Sequence, residues 1–154
     1  MNLFLYRSTA SVLSAFVLIF GLMACSQSDD DPQPLTKAEL LVRTWEVQSA
    51  TSAYGRTSYL FYEKGRSDND SDLSAYRFAF RADGSYSFID GSSSTYMGVW
   101  QLTDNDTSLL LDGDPLTVLT LTDKNLDFSF MSDETDTNGN VIQITNTYRL
   151  VPVQ

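Results

Sequence analysis

Twenty aspartates and glutamates, one cysteine and no histidine set the chemistry open to this 154-residue chain. Without histidine, the Ser-His-Asp and Cys-His schemes that activate a nucleophile cannot be assembled in their usual form. The lone thiol, Cys25, excludes a disulfide framework within the chain, and it excludes thiol metal sites, which need several Cys or His ligands. Paired carboxylates can work as general acid and base. Yet Asp68, Asp70, Asp72, Asp104, Asp106, Asp112 and Asp114 all fall where the chain is predicted to turn. At such places aspartate holds backbone N–H groups and keeps edges wet. Calcium is the one ion worth weighing. Glu134-Thr135-Asp136-Thr137-Asn138-Gly139 imitates the first half of an EF-hand loop, but Thr145 stands in place of the closing glutamate and no helices flank it. The run Asp68-Asn69-Asp70-Ser71-Asp72 is acidic enough for a weak site, and both runs read better as solvated turns. Neither catalysis nor a metal or other cofactor is expected.

Apolar chemistry is better supplied. Trp45, Phe78, Phe80, Tyr86, Phe88, Trp100, Phe128, Phe130 and Tyr148 are large, and they recur at positions that could face one interior. They could line a cavity for an apolar ligand, because an eight-stranded barrel either fills with side chains or holds one small molecule. So many large residues in so short a barrel leave little room, which favours a packed interior. If a pocket exists, the tyrosine and tryptophan polar atoms would orient its occupant.

Positioning such a stripe requires strands. Tyr76, Phe78 and Phe80 alternate with Arg77, Ala79 and Arg81, then Ala82-Asp83-Gly84 turns the chain and Tyr86 and Phe88 resume the pattern. Glycine in a short loop between alternating runs is a hairpin signal. One face is greasy and the other wet, as in an antiparallel sheet with a single buried side. Further strands are expected at Thr44–Ser49, Tyr59–Tyr62, Tyr96–Thr103, Ser108–Leu111, Leu116–Leu121, Leu126–Met131 and Val141–Val151, with a turn at Asp112–Pro115 and a loop over Ser132–Asn140. Before them, Thr36 and Glu39 have the Thr-x-x-Glu spacing of a capping box on a short helical turn. About nine short strands joined by tight turns predict an all-β, antiparallel, up-and-down barrel of eight or nine strands.

Ahead of that region, Leu22-Met23-Ala24-Cys25 closes an apolar run that follows Arg7, the only charge before it. The stretch resembles a bacterial lipobox, in which a peptidase cuts before the cysteine and the new N-terminal cysteine is acylated. Residues 1–24 fit a signal peptide, and the uncharged run from Val12 to Ala24 is shorter than the ~20 apolar residues a spanning helix needs. The resemblance implies a diacylglycerol and usually a third chain on Cys25. Each buried methylene contributes ~0.8 kcal/mol to anchoring. Residues 25–34 then form an acidic tether stiffened by Pro32 and Pro34. Ser26, directly after the cysteine, is similar to lipoproteins sent to the outer membrane. The run Ser28-Asp29-Asp30-Asp31 resembles the acidic signal that places Bacteroidetes-type lipoproteins on the cell surface, and it reads also as a plain solvated spacer.

Loss of residues 1–24 would remove Arg7 alone, leaving nine basic against 20 acidic side chains and a net charge of −11. That balance excludes nucleic acid, whose binding needs a basic footprint. Residues 35–154 are enough for a single domain.

Within that domain Leu40-Leu41-Val42-Arg43-Thr44-Trp45, Phe80-Arg81-Ala82-Asp83-Gly84-Ser85-Tyr86 and Gly98-Val99-Trp100-Gln101-Leu102 resemble the Bacteroidetes lipocalin-like lipoproteins. Those show a leading Gly-x-Trp, a Phe-x-x-Asp-Gly-x-Tyr hairpin and a Gly-x-Trp in a middle strand. Arg43 departs from the pattern, standing where its first glycine is expected. The resemblance implies a calyx-like barrel and no particular ligand, since such folds host unrelated functions. Two functions stay open. One is an anchored module taking a small apolar or amphipathic ligand. The other is a non-catalytic lipoprotein with a filled barrel that contacts another envelope protein. In either case the chain is expected to be a monomer held at the outer membrane by its acyl chains.

Overall fold

Residues 33–154 are described by the structure, a computed structural model. The signal peptide, Cys25 and the acidic run lie outside the described residues. Thr36 opens α1 (Lys37–Leu41) with a capping box, its hydroxyl accepting from the Glu39 N–H at 3.2 Å while Glu39 Oε2 accepts from the Thr36 N–H at 2.8 Å. The helix is a single turn because its role is to present Leu41, which is fully buried.

Nine strands follow: β1 (Thr44–Tyr54), β2 (Thr57–Glu63), β3 (Arg77–Phe80), β4 (Ser85–Ile89), β5 (Thr95–Thr103), β6 (Ser108–Leu111), β7 (Asp114–Leu121), β8 (Leu126–Thr135) and β9 (Val141–Pro152). From β3 to β9 each strand pairs antiparallel with the next, and β1 pairs with both β3 and β9. Eight strands therefore close into an up-and-down barrel. The ninth, β2, adds to the edge of β1 that β3 also uses: β3 takes Thr44–Glu46 and β2 takes Ser49–Tyr54.

Several strands outrun their sequence pattern. β8 continues through Ser132–Thr135, paired with Val141–Ile144, where a loop was expected. These residues carry no apolar alternation, and backbone pairing holds them, with one side-chain bond from Asn146 to Ser132. Asp114 and Pro115 are strand residues opposite Leu111 and Leu110, so the turn there shrinks to Asp112-Gly113. The imperfect alternation of Tyr59–Tyr62 has a cause: a bulge makes Ala50 pair with Tyr62 but Thr51 with Leu60, so Phe61 is an extra residue.

Antiparallel order places the turns after β3, β5 and β7 at the end where α1 sits, and those after β1, β4, β6 and β8 at the other. The α1 end is sealed. Lys37 Nζ donates to the Leu121 carbonyl at 2.5 Å, and Arg43 Nη1 to the Asp123 carbonyl at 2.7 Å. The Arg43 guanidinium also lies 5.3 Å from the Trp45 ring centre. Arg43 thus places a cation over the tryptophan of β1.

Candidate functional site

Alternation sends Leu126, Phe128 and Phe130 of β8 and Leu150 and Tyr148 of β9 into the barrel, whereas β1, which buries Trp45, Val47 and Ala50, changes phase at a bulge after Val47. The interior is stacked in layers. Leu41, Trp45, Leu109, Leu126 and Leu150 are fully buried and fill the α1 end. The Trp45 indole N–H is satisfied there by the Leu41 carbonyl at 3.0 Å. One alternation step further along the strand, three of these residues, and the buried Phe80 beside them, have a counterpart that faces a hole. Phe78 lies beyond Phe80, Phe128 beyond Leu126, Tyr148 beyond Leu150 and Leu111 beyond Leu109.

That hole is a cavity of about 210 Å³ with an almost wholly apolar wall, completed by Tyr76, Phe88, Leu116 and Phe130. Its wall is a continuous aromatic run built from cross-strand pairs. Phe78 and Phe88 are directly opposite in register and stack at 4.6 Å between centroids. Phe128 and Tyr148 are likewise opposite and stack at 5.7 Å, nearly parallel. Phe78 meets Phe128 edge-on at 5.8 Å, joining the two pairs, and Tyr76 meets Phe88 at 5.3 Å. Burial, with a smaller contribution from Tyr76, raises the pKa of the Tyr148 hydroxyl. Beyond Tyr148 the inner face turns polar. Ser52 Oγ donates to Asn146 Oδ1 at 2.6 Å, and Asn146 Nδ2 donates to Ser132 Oγ at 2.8 Å, a collar across β1, β9 and β8.

Of the nine aromatics that the sequence places inside, five wall this cavity: Phe78, Phe88, Phe128, Phe130 and Tyr148. Trp45 and Phe80 are buried beneath it. Trp100 packs edge-on against Phe80 and spends its indole N–H on the Arg81 carbonyl at 3.0 Å. Tyr86 turns aside to a carboxylate. Three wall residues fall outside the sequence-derived set. Tyr76 shares the register of Phe78 and was legible from it, whereas Leu111 and Leu116 flank a turn and gave no aromatic signal.

Of the aspartates expected in turns, Asp72 holds the Ser74 N–H at 2.9 Å, whereas Asp68 pairs with Arg66, Asp70 accepts from the Tyr59 hydroxyl and Asp114 lies in a strand; Asp136 and Asp83 do fill the turn role. Asp136 Oδ1 accepts from the Asn138 and Asn140 N–H groups, both at 2.8 Å, and bonds from Asn140 hold its pKa low. Asp83 Oδ1 serves the Ser85 hydroxyl and N–H, at 2.6 and 2.9 Å. Among the described residues no group of three or more His, Cys, Asp or Glu is placed to hold a metal ion.

Asp112 behaves differently. From a left-handed backbone (φ 53°) its side chain reaches across β5 rather than into its own turn. Oδ1 accepts from the Val99 N–H and Oδ2 from the Tyr86 hydroxyl, each at 2.9 Å. Burial first, then this bond, push the Tyr86 hydroxyl up to about 12. Gly98 makes the reach possible, because a Cβ built there would overlap the Asp112 carboxylate. The Gly98-Val99-Trp100 motif thus has a local reason at each position: space for a carboxylate, an N–H for it, and an indole tied to the Asp83-Gly84 hairpin. A second, larger hollow of about 640 Å³ opens here, bordered by Tyr86, Asp112, Asp114, Pro115 and Met131 and sharing Leu111, Leu116 and Phe130 with the first.

No family model matches the chain, and no curated protein matches it. Among solved structures it is similar to bovine odorant binding protein in complex with a selenium-containing odorant, at 12% identity and a TM-score of 0.42, over 79% of this chain and 76% of that one.

Proposed function

We propose that the chain is an acylated envelope lipoprotein whose barrel binds one small apolar or amphipathic molecule. One observation carries the binding reading. A barrel packed solid in the layer next to α1 leaves an aromatic-walled hole of about 210 Å³ in the next layer. A dry apolar cavity of ~150 Å³ takes up benzene, so this one suits a single ring with a short substituent. The Leu22–Cys25 motif supports the anchor, Ser26 directly after the cysteine supports the outer membrane, and the Asp29–Asp31 run supports a surface address.

Pro34–Gln154 forms its own compact unit with its own core, so this body is suited to a binding test free of detergent. Calorimetric titration with benzyl alcohol is expected to show saturable one-to-one binding. Leu116→Trp, which puts bulk into the hole, should abolish it. Weak, unsaturable uptake that ignores Leu116→Trp would sink the binding reading. The second reading, a contact with another envelope protein, draws on Met97 and Val99, 78% and 65% exposed on the outer face of β5. For the anchor, mass spectrometry of the mature full-length protein should find its N-terminus at an acylated Cys25. A free thiol there would end the lipoprotein reading.

A further inference from the structure

We propose that the ligand class of this barrel is an amphipathic cation: an apolar group of about one ring in the aromatic cavity, carrying a protonated amine that meets Asp112. The inference rests on the apolar-binding reading above and adds the charge of the ligand to it. The smaller cavity is almost wholly apolar: its polar side chains are those of Tyr76 and Tyr148, and none of its lining residues is charged. The neighbouring hollow, with which it shares Leu111, Leu116 and Phe130, has two carboxylates on its border, Asp112 and Asp114. Neither lining includes a lysine or arginine. Among the described residues, the four acidic–basic pairs use Glu46, Asp68 and Asp127, so neither aspartate has a cationic partner.

Asp112 is exposed, yet its carboxylate is held in place. Two hydrogen bonds, from the Val99 N–H and the Tyr86 hydroxyl, hold it in the space left by Gly98. Each oxygen accepts one of these bonds, and a carboxylate oxygen can accept more than one. A ring seated against Phe130 and Leu116 would direct a short substituent toward this hollow. There an ammonium gains a charge-assisted hydrogen bond, and a carboxylate meets like charge. The aromatic faces themselves favour a cation over an anion.

The test uses three ligands of one shape, titrated into the Pro34–Gln154 body at low ionic strength: benzylamine, benzyl alcohol and benzoate. Benzylamine is expected to bind about three- to tenfold more tightly than benzyl alcohol, the range for a partly solvated charged pair, and benzoate more weakly than either. Added salt should shrink the amine's advantage. In Asp112→Asn, which keeps the shape and an acceptor oxygen for the Val99 N–H but puts an amide donor opposite the Tyr86 oxygen, the ratio of amine to alcohol affinity should fall toward one. Asp114→Asn should lower it by less. If benzylamine and benzyl alcohol bind equally to the unaltered protein, the cation inference is overturned while the apolar site stands. If none of the three binds, the apolar site falls and takes this inference with it.

Discussion

Asp112 Oδ2 accepts the Tyr86 hydroxyl at 2.9 Å through the space where Gly98 carries no side chain. Tyr86 and Gly98 are register partners on β4 and β5, whereas Asp112 comes from the far side of β6. The contact therefore ties three strands together near the mouth of the cavity. It also replaces what would otherwise be an aliphatic wall position on β5 with a negative charge.

The first prediction is that Gly98→Ala costs stability although Gly98 has an ordinary strand conformation. The new methyl must displace the Asp112 carboxylate, and overpacking of this kind costs ~1–3 kcal/mol. Asp112→Ala in the same chain should recover part of that loss. Urea denaturation of the two single variants and the double variant gives the coupling, and strictly additive losses would disprove the contact.

A second prediction concerns alkaline pH. Tyr86 has a folded-state pKa of about 12 against an ordinary value of 10.0. Between those values the unfolded chain has lost the proton that the native state keeps, so fewer protons are bound when unfolded and stability falls as pH rises. Below pH ~10 the group makes no pH-dependent contribution. Up to about 2–3 kcal/mol should be lost between pH ~10 and ~12 through this group. Tyr86→Phe should flatten that part of the profile measured by urea unfolding. An equal slope in the variant would place the titration elsewhere.

Neighbouring residues on β3 should differ sharply. Phe78→Ala empties a buried position that stacks on Phe88, a loss of ~3–5 kcal/mol. Arg77 faces outward yet is not idle: it pairs with Glu46 at 3.0 Å and donates to the Ser74 carbonyl at 2.8 Å. Its replacement by Ala should cost ~0.5–1 kcal/mol. Equal losses in chemical denaturation would mean the two faces of β3 are misassigned.

At the sealed end, Arg43→Gly is predicted to destabilise by ~1–2 kcal/mol, from a lost cation–π contact and a lost bond to the Asp123 carbonyl. A thermal shift no different from that of a control surface substitution would show that the seal does not depend on this residue.

Much of the barrel was legible because it obeys period two. The run Tyr76–Phe88, the Asp83-Gly84 turn with Gly84 at φ 81°, and the Thr36–Glu39 capping box are local, and local chemistry determines them. The upper part of β1, Ala50–Tyr54, and the end of β8, Ser132–Thr135, were hidden because the small and polar residues there carry no clear alternation. The site was legible in face but not in height. Phe78 and Phe80 have the same signature in sequence, yet one walls the hole and the other lies under it. Which layer a residue joins depends on register around the closed sheet, and that register follows from pairings between distant segments. The seat of Asp112 is of the same kind, for nothing near Asp112 announces that Gly98 leaves room for it.

The pairing of β1 with β9 bears on how the molecule is made. Trp45–Ala53 lie opposite Thr145–Pro152, so the segment that begins the barrel is completed by almost the last residues of the chain. A polypeptide emerging N-terminus first can form the β3–β4 hairpin early, but it cannot close the cylinder until β9 has emerged. Contacts so distant in sequence slow folding. The same arrangement makes the final strand a clasp. Removing it would not trim the barrel but would open a long edge on both β1 and β8, and such edges recruit strands from other chains.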